Sequence, residues 1–255
     1  MERNEYPILE FDNAAEAILE PGKVVDKMDV PEHCVICFFA EVIQDVVAEH
    51  NATVLAYSAS EIGQHPLYEI EVDGKRLAFF HPGIGAPLAG GLLEEMIARG
   101  CRKFIACGGC GVLDREIAVG HLLVPVSALR DEGTSYHYLP PSREVAMDPH
   151  ALAVVEGVLQ RRGLDYLRTK TWTTDVMYRE TVAKAAAYRE EGCLAVEMEA
   201  AAFFAIAKFR GVEFGQILYG GDAVLQEAWD GRGWHSRKEI RQNLFWLAAE
   251  MAFEL

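Results

Sequence analysis

The sequence predicts an α/β fold, a single-domain three-layer α/β/α sandwich with a central mixed β-sheet. Short apolar runs alternate with helical patterns along the chain, as expected for strands covered by helices on both sides. The 255 residues, 51% of them hydrophobic, are enough for one large core. Residues 31–255 are expected to form this domain. The mixed, polar residues 1–30 are expected to form an extension that lies over the domain or over a neighbouring subunit.

Local signals place the elements. Asp73-Gly74 between two apolar runs predicts a β-hairpin, and Gly100 and Gly211 each stand just past a predicted helix. The stretch 193–224 predicts a strand, a helix and a second strand that stops at Gly220, which together form a βαβ unit. The predicted strands cover 35–39, 53–57, 67–72, 76–80, 103–106, 121–126, 166–173, 194–196 and 214–219. The predicted helices cover 42–49, 88–99, 149–162, 182–190, 200–209 and 237–253.

Composition excludes several classes of partner. The formal net charge is −15 at pH 7 and the pI is about 5.0, so phosphate backbones and anionic membranes are repelled. The N-terminal residues do not resemble a leader peptide, and no apolar run approaches membrane-spanning length. We therefore expect a soluble, cytoplasmic protein whose partner is a small molecule, with neither nucleic acid nor membrane involved.

The six cysteines include two C-x-x-C pairs, Cys34/Cys37 and Cys107/Cys110. Such spacing occurs in zinc and redox sites. Cys34 and Cys37, however, lie in a strand pattern that points them to opposite faces, and no histidines cluster near the second pair. We expect small buried thiols and no metal site.

Three acidic residues follow the apolar runs of the stretch 193–224. Glu197 and Glu199 flank Met198 at the end of the first run, and Asp222 follows two glycines after the second. In open α/β sheets, ligands bind at the carboxyl edge of the strands. A carboxylate there can hold two ribose hydroxyls, and an acid can protonate a leaving group. The alternatives are an acidic residue that suits the helix dipole and a simple turn aspartate.

Four stretches, in the expected order along the chain, resemble the nucleoside phosphorylase-I family, and the match covers about residues 35–225. This family includes the purine and uridine phosphorylases and the methylthioadenosine/adenosylhomocysteine nucleosidases. The resemblance implies a phosphorylase-like fold and cleavage of an N-glycosidic bond. The four stretches are HPGIGAPLAGGLLEEMIARGCRKFIACGGCG (81–111), VGHLLVPVSALRDEGTSYHY (119–138), TTDVMYRE (173–180) and AVEMEAAAFFAIA (195–207).

The resemblance also implies roles for individual residues. Glu199 would bind the ribose hydroxyls and Asp222 would protonate the base, and these two are the expected catalytic residues. Residues 181–183 lack the Gln and Arg that read uracil in the uridine-cleaving members, which favours a purine. The remaining expected contacts are Glu197 as an indirect or hydroxyl contact, Met198 against the sugar, Met177 and Tyr178 against the base, and Gly108 and Gly109 close to the ligand.

The family's phosphate site is altered in this sequence. Residues 39–43 contain neither the Gly nor the Arg of the phosphate-binding turn, and Ala106 and Gly109 replace an Arg and a Thr or Ser. Phosphate recognition normally uses such cationic groups. Either another Arg rebuilds the site, with Arg179, Arg130 and Arg143 as candidates, or water is the nucleophile and Glu41 activates it.

The functional hypothesis is a purine-leaning nucleoside phosphorylase that needs no cofactor and uses inorganic phosphate as co-substrate. The alternatives are a phosphate-independent nucleosidase and a catalytically weak nucleoside-binding protein. The resemblance further implies a homo-oligomer, a hexamer or an assembly of dimers, in which a neighbour completes the site. His65 and the N-terminal extension are candidates for that contact.

Overall fold

The computed structural model describes residues 3–225 and 229–255, which contain eleven β-strands and six α-helices. The strands are β1 (His33–Cys37), β2 (Thr53–Ser60), β3 (Gly63–Val72), β4 (Lys75–Phe80), β5 (Lys103–Val112), β6 (Leu122–Asp131), β7 (Glu144–Ala146), β8 (Tyr166–Thr174), β9 (Cys193–Glu197), β10 (Glu213–Val224) and β11 (Trp229–Asp230). The helices are α1 (Ala40–Glu49), α2 (Ala86–Arg99), α3 (Pro149–Arg161), α4 (Val182–Glu190), α5 (Ala200–Arg210) and α6 (Lys238–Ala252).

The strands form one mixed sheet, as predicted. Its order is β11-β10-β6-β8-β9-β5-β1-β4-β3-β2, with β7 paired to β6. Because β10 also pairs with β5, the described strands β5, β10, β6, β8 and β9 close into a ring, and β1, β4, β3 and β2 extend from it. The closure was not predicted, since periodicity reports which faces of a strand are buried and not which strands are neighbours.

Helices cover both faces of the sheet, which confirms the three-layer α/β/α sandwich. Helices α1, α3 and α6 pack on the side of Val35 and Cys37, and helices α2 and α5 pack on the side of Cys34 and Ile36. Cys34 and Cys37 therefore face opposite layers, as the strand period of two requires. All six cysteines are buried free thiols. Among the described residues, no group of His, Cys, Asp and Glu side chains is placed to hold a metal ion.

The hairpin between β3 and β4 confirms the turn signal. Val72 pairs with Lys75, and the two residues between them, Asp73 and Gly74, have φ angles of 51° and 76°. Positive φ at both central positions defines a type I′ turn, which Asp-Gly favours because glycine adopts this conformation without a steric penalty.

Strands β5 and β10 are longer than predicted, and the predicted loop at Gly108–Gly111 and strand end at Gly220 are wrong. Both strands continue through their glycines. The neighbouring strands of the ring leave no room for side chains at these positions. A Cβ atom on Gly111 would lie 2.9 Å from Val196 Cγ1, and one on Gly220 would lie 3.1 Å from Val112 Cγ1. Here glycine allows close packing of neighbouring strands.

The predicted βαβ unit is also wrong. Strand β9 pairs antiparallel with β5, with Val196 opposite Gly111, whereas β10 pairs parallel with β5, with Gly220 opposite Cys110. Strands β9 and β10 thus run in opposite directions on either side of β5. Because β9 runs back along β5, its carboxyl end reaches the same part of β5 as the last residues of β10. This arrangement brings the acidic residues to the same part of β5.

The segment before β1 packs on the chain's own domain. It contains two 3₁₀ turns, Pro7–Leu9 and Pro21–Lys23, of which the first contacts a 3₁₀ turn at Thr134–His137. Arg210 of α5 forms an ion pair with Glu20 at 3.1 Å. A membrane-crossing helix would have to be longer and more apolar than any helix in the described ranges.

Candidate active site

Glu197 stabilises the turn between β9 and α5 through hydrogen bonds. Its carboxylate accepts hydrogen bonds from the backbone N–H groups of Glu199 at 2.8 Å and Ala200 at 2.6 Å, and from the Thr173 hydroxyl at 2.6 Å. The side chain therefore satisfies donors at the start of α5, the role usually taken by a capping residue. Of the two roles expected for Glu197, these contacts support the indirect one.

Glu199 occupies the N-cap position of α5 and is 6% exposed. Its Oε1 accepts a hydrogen bond from the Gly85 N–H at 2.5 Å, which ties it to the loop before α2. Burial, followed by the charge of Glu197, raises the pKa of Glu199 from 4.5 to about 8. A buried carboxyl that titrates near neutral pH is typical of a functional site.

Asp222 lies within β10, half-buried, and its Oδ2 accepts a hydrogen bond from Trp229 Nε1 at 2.7 Å. A Cβ atom on Gly111 would lie 2.9 Å from Val196 Cγ1 and 3.6 Å from Asp222 Oδ1. The end of β9 and Asp222 thus flank one glycine of β5.

Electrostatics agree with this convergence. Burial raises the pKa of the Cys110 thiol, and the charges of Glu197 and Asp222 raise it further. The charges of Glu197, in β9, and Asp222, in β10, therefore both act on this buried thiol of β5. The structure thus brings the end of β9, which carries Glu197, and Asp222 to one region of the sheet.

Glu180 was not predicted and belongs to the same region. It is half-buried, and burial, followed by the charge of Asp222, raises its pKa from 4.5 to about 7. It directly follows the Met-Tyr-Arg run at 177–179, and an acidic residue ending that base-side stretch was the available signal. The charge of Asp222 therefore disfavours ionisation of Glu180.

The residues expected against the base lie on a 3₁₀ turn, Met177–Arg179, between β8 and α4. Met177 is 46% exposed and Tyr178 is 91% exposed, whereas Met198 is half-buried beside the acidic residues. The contact of Met177 and Tyr178 with a base stays a prediction.

Aromatic rings pack against the two glycines expected to approach the ligand. A Cβ atom on Gly108 would lie 3.1 Å from Phe38 Cδ2, and one on Gly109 would lie 3.2 Å from Tyr219 Cε1. The approach of a ligand to Gly108 and Gly109 stays a prediction, and in the structure the side chains of Phe38 and Tyr219 pack against these glycines.

Two of the candidate phosphate-binding arginines are engaged elsewhere, so this expectation for them is corrected. Arg130 is buried and donates to the Ser135 hydroxyl and to the carbonyls of Leu139 and Pro140. Arg143 forms an ion pair with Glu191. Arg179 remains as an exposed residue of the 177–179 turn.

Glu41 is paired with an arginine that sequence reasoning missed. Arg241 of α6 is 6% exposed and donates to Glu41 Oε1 at 2.5 Å and to the Tyr219 hydroxyl at 3.1 Å. Its guanidinium also lies 4.9 Å from the ring centre of Phe39. This pairing occupies the carboxylate expected to activate water. An arginine in the last helix, about 200 positions from Glu41, carries no local sequence signal.

A large surface cavity lies apart from the candidate active site. A cavity of about 750 Å³ opens between α6, residues 120–122 and residues 162–165, and its lining contains neither Glu199 nor Asp222. The perturbed carboxyl groups, and not the volume of this cavity, identify the candidate site.

Comparison with known proteins agrees with this geometry. Residues 32–243 match the family model described as the phosphorylase superfamily. The chain is 30% identical to the guanosine phosphorylase of Halorubrum lacusprofundi over 154 residues, which are 60% of this chain and 64% of that protein. It is 29% identical to the DeoD-type purine nucleoside phosphorylase of Alkaliphilus metalliredigens over 190 residues, which are 71% of this chain and 76% of the relative.

A solved phosphorylase structure has a similar fold. A crystal structure of uridine phosphorylase from Vibrio fischeri superposes with a TM-score of 0.76 at 22% identity and covers 89% of this chain and 93% of that one. The family model spans most of the sequence, including Glu197, Glu199, β5 and β10. This chain is therefore a member of the phosphorylase superfamily.

Proposed function

We propose that this protein is a nucleoside phosphorylase-type pentosyltransferase that cleaves the N-glycosidic bond of a nucleoside to give free base and ribose 1-phosphate. The observation that carries the proposal is the convergence of Glu197, at the end of β9 and two residues before Glu199, and Asp222 on one part of β5. The family membership and the phosphorylase names of the relatives support the reaction class.

In the proposed reaction, the C1′–N bond breaks and its electron pair moves to the base. Ribose C1′ gains oxocarbenium character, and a phosphate oxygen then forms the new bond to C1′. The Glu199 carboxyl group forms hydrogen bonds with the ribose hydroxyls and fixes the sugar, which converts binding energy into orientation. Asp222 supplies a proton to the leaving base and so removes the negative charge that would develop there.

The proposed substrate is a purine nucleoside. Glu180 and Asp222 present two carboxyl groups at the base side, and the pKa of Glu180 near 7 allows one of them to carry a proton at neutral pH. A purine offers ring nitrogens and N–H groups to such a pair. The guanosine and purine nucleoside phosphorylases among the relatives point the same way.

The second candidate function is hydrolysis, in which water replaces phosphate. The observation that favours it is the packing of Phe38 and Tyr219 against Gly108 and Gly109, because the resemblance implies that Gly109 belongs to the altered phosphate site. Arg130 and Arg143 are committed to other partners. Phosphorolysis therefore requires Arg179, a neighbouring subunit or a rearranged Arg241 to supply the cation.

One assay tests both candidates. Release of free base is measured from a panel of purine and pyrimidine nucleosides, in phosphate-free buffer and with added inorganic phosphate. We expect purine release that rises with phosphate and accumulates ribose 1-phosphate. Equal release without phosphate would replace this proposal with the hydrolytic one. Nucleoside binding without base release under either condition would contradict both and leave a binding protein.

We further infer that the protein acts as a homo-oligomer in the cytoplasm. Large apolar side chains are exposed in the single chain, including Tyr178 at 91%, Ile62 at 76% and Ile84 at 65%. Burial of such groups between subunits is favourable. Free thiols fit a reducing compartment. Light scattering after gel filtration tests the assembly, and a monomeric mass at micromolar concentration would contradict it.

A further inference from the structure

Arg241 is a buried cation where β10, α1 and α6 meet. Its side chain is 7% exposed, and its guanidinium lies 4.9 Å from the ring centre of Phe39 and 5.4 Å from that of Trp234. Its Nε donates to the Tyr219 hydroxyl at 3.1 Å, and its Nη2 donates to the Trp234 carbonyl oxygen at 3.3 Å. Two aromatic rings and two oxygen atoms thus hold the guanidinium in one position.

This cation lies beside the altered phosphate site. A Cβ atom on Gly109 would lie 3.5 Å from the Tyr219 hydroxyl, to which Arg241 donates. The resemblance implies that Gly109 replaces a Thr or Ser of the family's phosphate site. The Trp234 side chain packs against β10, with its Cβ 3.2 Å from a Cβ atom on Gly221. One side chain therefore separates Arg241 from Gly109, and another separates it from the strand that carries the proposed general acid.

Glu41 is the exposed partner of this cation. Its Oε1 accepts a hydrogen bond from Arg241 Nη1 at 2.5 Å, and its side chain is 40% exposed, against 7% for Arg241. Glu41 lies in the first turn of α1, so rotation about its side-chain bonds carries the carboxylate into water without moving the helix. An external oxyanion that replaces this carboxylate reaches the same nitrogen, because the carboxylate itself arrives there from the surface.

The charge and shape of the guanidinium define the ligand that can replace Glu41. A buried positive charge that loses its counter-ion is strongly unfavourable, so a neutral ligand does not displace the carboxylate. Arginine presents its N–H donors in a planar fork that fits the oxygens of carboxylate and phosphate groups. Of these two groups, phosphate is the one that the proposed reaction consumes.

We propose that Arg241 is the phosphate-binding cation of this protein and that Glu41 holds its anion position until a phosphate group displaces the carboxylate. The phosphate group is inorganic phosphate or the 5′-phosphate of a nucleotide. The inference rests on the proposed function, which needs phosphate as co-substrate. The rearrangement is confined to the Glu41 side chain, and phosphate therefore competes with a carboxylate of the protein itself.

Calorimetry with inorganic phosphate and the full-length protein tests this competition in Glu41→Gln. The matched control is Asp45→Asn, one turn further along α1, because Asp45 pairs with Lys238 of α6 at 2.7 Å. Each substitution removes one negative charge from the same helix, but Asp45 pairs with a different cation. Glu41→Gln should bind phosphate about tenfold more tightly than the wild type, since a neutral amide competes less well for Arg241. Asp45→Asn should bind it as the wild type does.

The cation and the source of the phosphate group need separate measurements. Arg241→Lys keeps the charge but loses the fork, so it should weaken phosphate binding about tenfold. Crystals of Glu41→Gln soaked with phosphate should show a phosphate oxygen about 3 Å from Arg241 Nη1. Calorimetry with adenosine 5′-monophosphate completes the set. Tighter binding of inorganic phosphate identifies the free ion as the ligand, and tighter binding of the nucleotide identifies its 5′-phosphate.

Equal phosphate affinity in Glu41→Gln and the wild type, or no binding to either, would overturn the inference. An equal gain in Asp45→Asn would also overturn it, because the effect would then be one of general charge, and so would phosphate bound away from Arg241. Phosphate bound at Arg241 in a protein that releases no base would refute the proposed function and leave this site standing. Phosphate-dependent base release with an unchanged KM for phosphate in Glu41→Gln and Arg241→Lys would refute the site and leave the function standing.

Discussion

At the residue scale, the site depends on two carboxyl groups whose pKa values are raised by burial and by the charge of a neighbouring carboxylate. The pKa of Glu199 is raised to about 8 and the pKa of Glu180 to about 7, the latter in part by the charge of Asp222. The sequence identified Glu199 and Asp222 because they stand in a motif. It did not identify Glu180, because burial and a charged neighbour from a distant strand create its unusual pKa.

Replacement of Asp222 by Asn should reduce turnover by a factor on the order of 10² or more, because the leaving base then lacks its general acid. The comparison is base release under saturating nucleoside by the variant and by Asp165→Asn, which changes an exposed aspartate next to β8. Asp165→Asn should match the wild type. A near-normal rate in Asp222→Asn would remove Asp222 from the proposed role.

Glu180→Gln should alter the pH profile of kcat/KM. Burial and Asp222 raise the pKa of Glu180 to about 7, so its proton is lost as pH rises through that value. If the protonated form contacts the base, the wild-type rate falls on the basic side with an apparent pKa near 7. The Gln variant, which does not titrate, should lack that fall. Identical profiles for both proteins would exclude this contact.

At the element scale, local patterns placed most helices and strands but not their partners. Helix α4 at Val182–Glu190 and the Asp73-Gly74 hairpin were predicted as they occur, because caps and turns are local chemistry. The glycines of β5 and β10 were misassigned as a loop and a strand end, since only the neighbours across the ring explain why a side chain is excluded there. The arrangement of β9 and β10 on either side of β5 is likewise tertiary.

The turn between β9 and α5 should be sensitive to Glu197. Glu197→Ala removes the acceptor of two backbone N–H groups and of the Thr173 hydroxyl. We expect a loss of about 2–4 kcal/mol in the free energy of unfolding, because buried donors are left unpaired. Thr181→Ala, which removes the weaker cap of α4, should cost only about 1 kcal/mol. Urea denaturation measures both, and equal small losses would contradict the role given to Glu197.

At the scale of the whole molecule, the sandwich, the mixed sheet and the family followed from the sequence, because several separate motifs agreed. The ring of five strands and the Arg241–Glu41 pair did not follow, because each joins residues far apart in the chain. The sequence predicts an altered phosphate site, because the Gly and Arg residues of the family pattern are replaced. The packing of Phe38 and Tyr219 against Gly108 and Gly109 could be seen only in the structure.

The buried Glu199 should make stability depend on pH. Its folded pKa of about 8 exceeds the ordinary 4.5, so the folded state holds its proton more tightly than the unfolded state. This stabilising contribution is complete below about pH 4.5 and is lost as pH rises to about 8. Glu199→Gln should therefore match the wild type at pH 5 and exceed it by roughly 1–3 kcal/mol at pH 8. Urea denaturation at both pH values tests this, and a constant difference would contradict it.

The central claim is that Glu199 and Asp222 act on the two ends of one nucleoside. A crystal structure of Asp222→Asn with a bound purine nucleoside tests it most directly. We predict ribose hydroxyls about 2.5–3.0 Å from the Glu199 carboxylate, with the base directed toward residue 222 and Glu180. A nucleoside bound with its sugar away from Glu199, or bound in the cavity beside α6, would contradict the account.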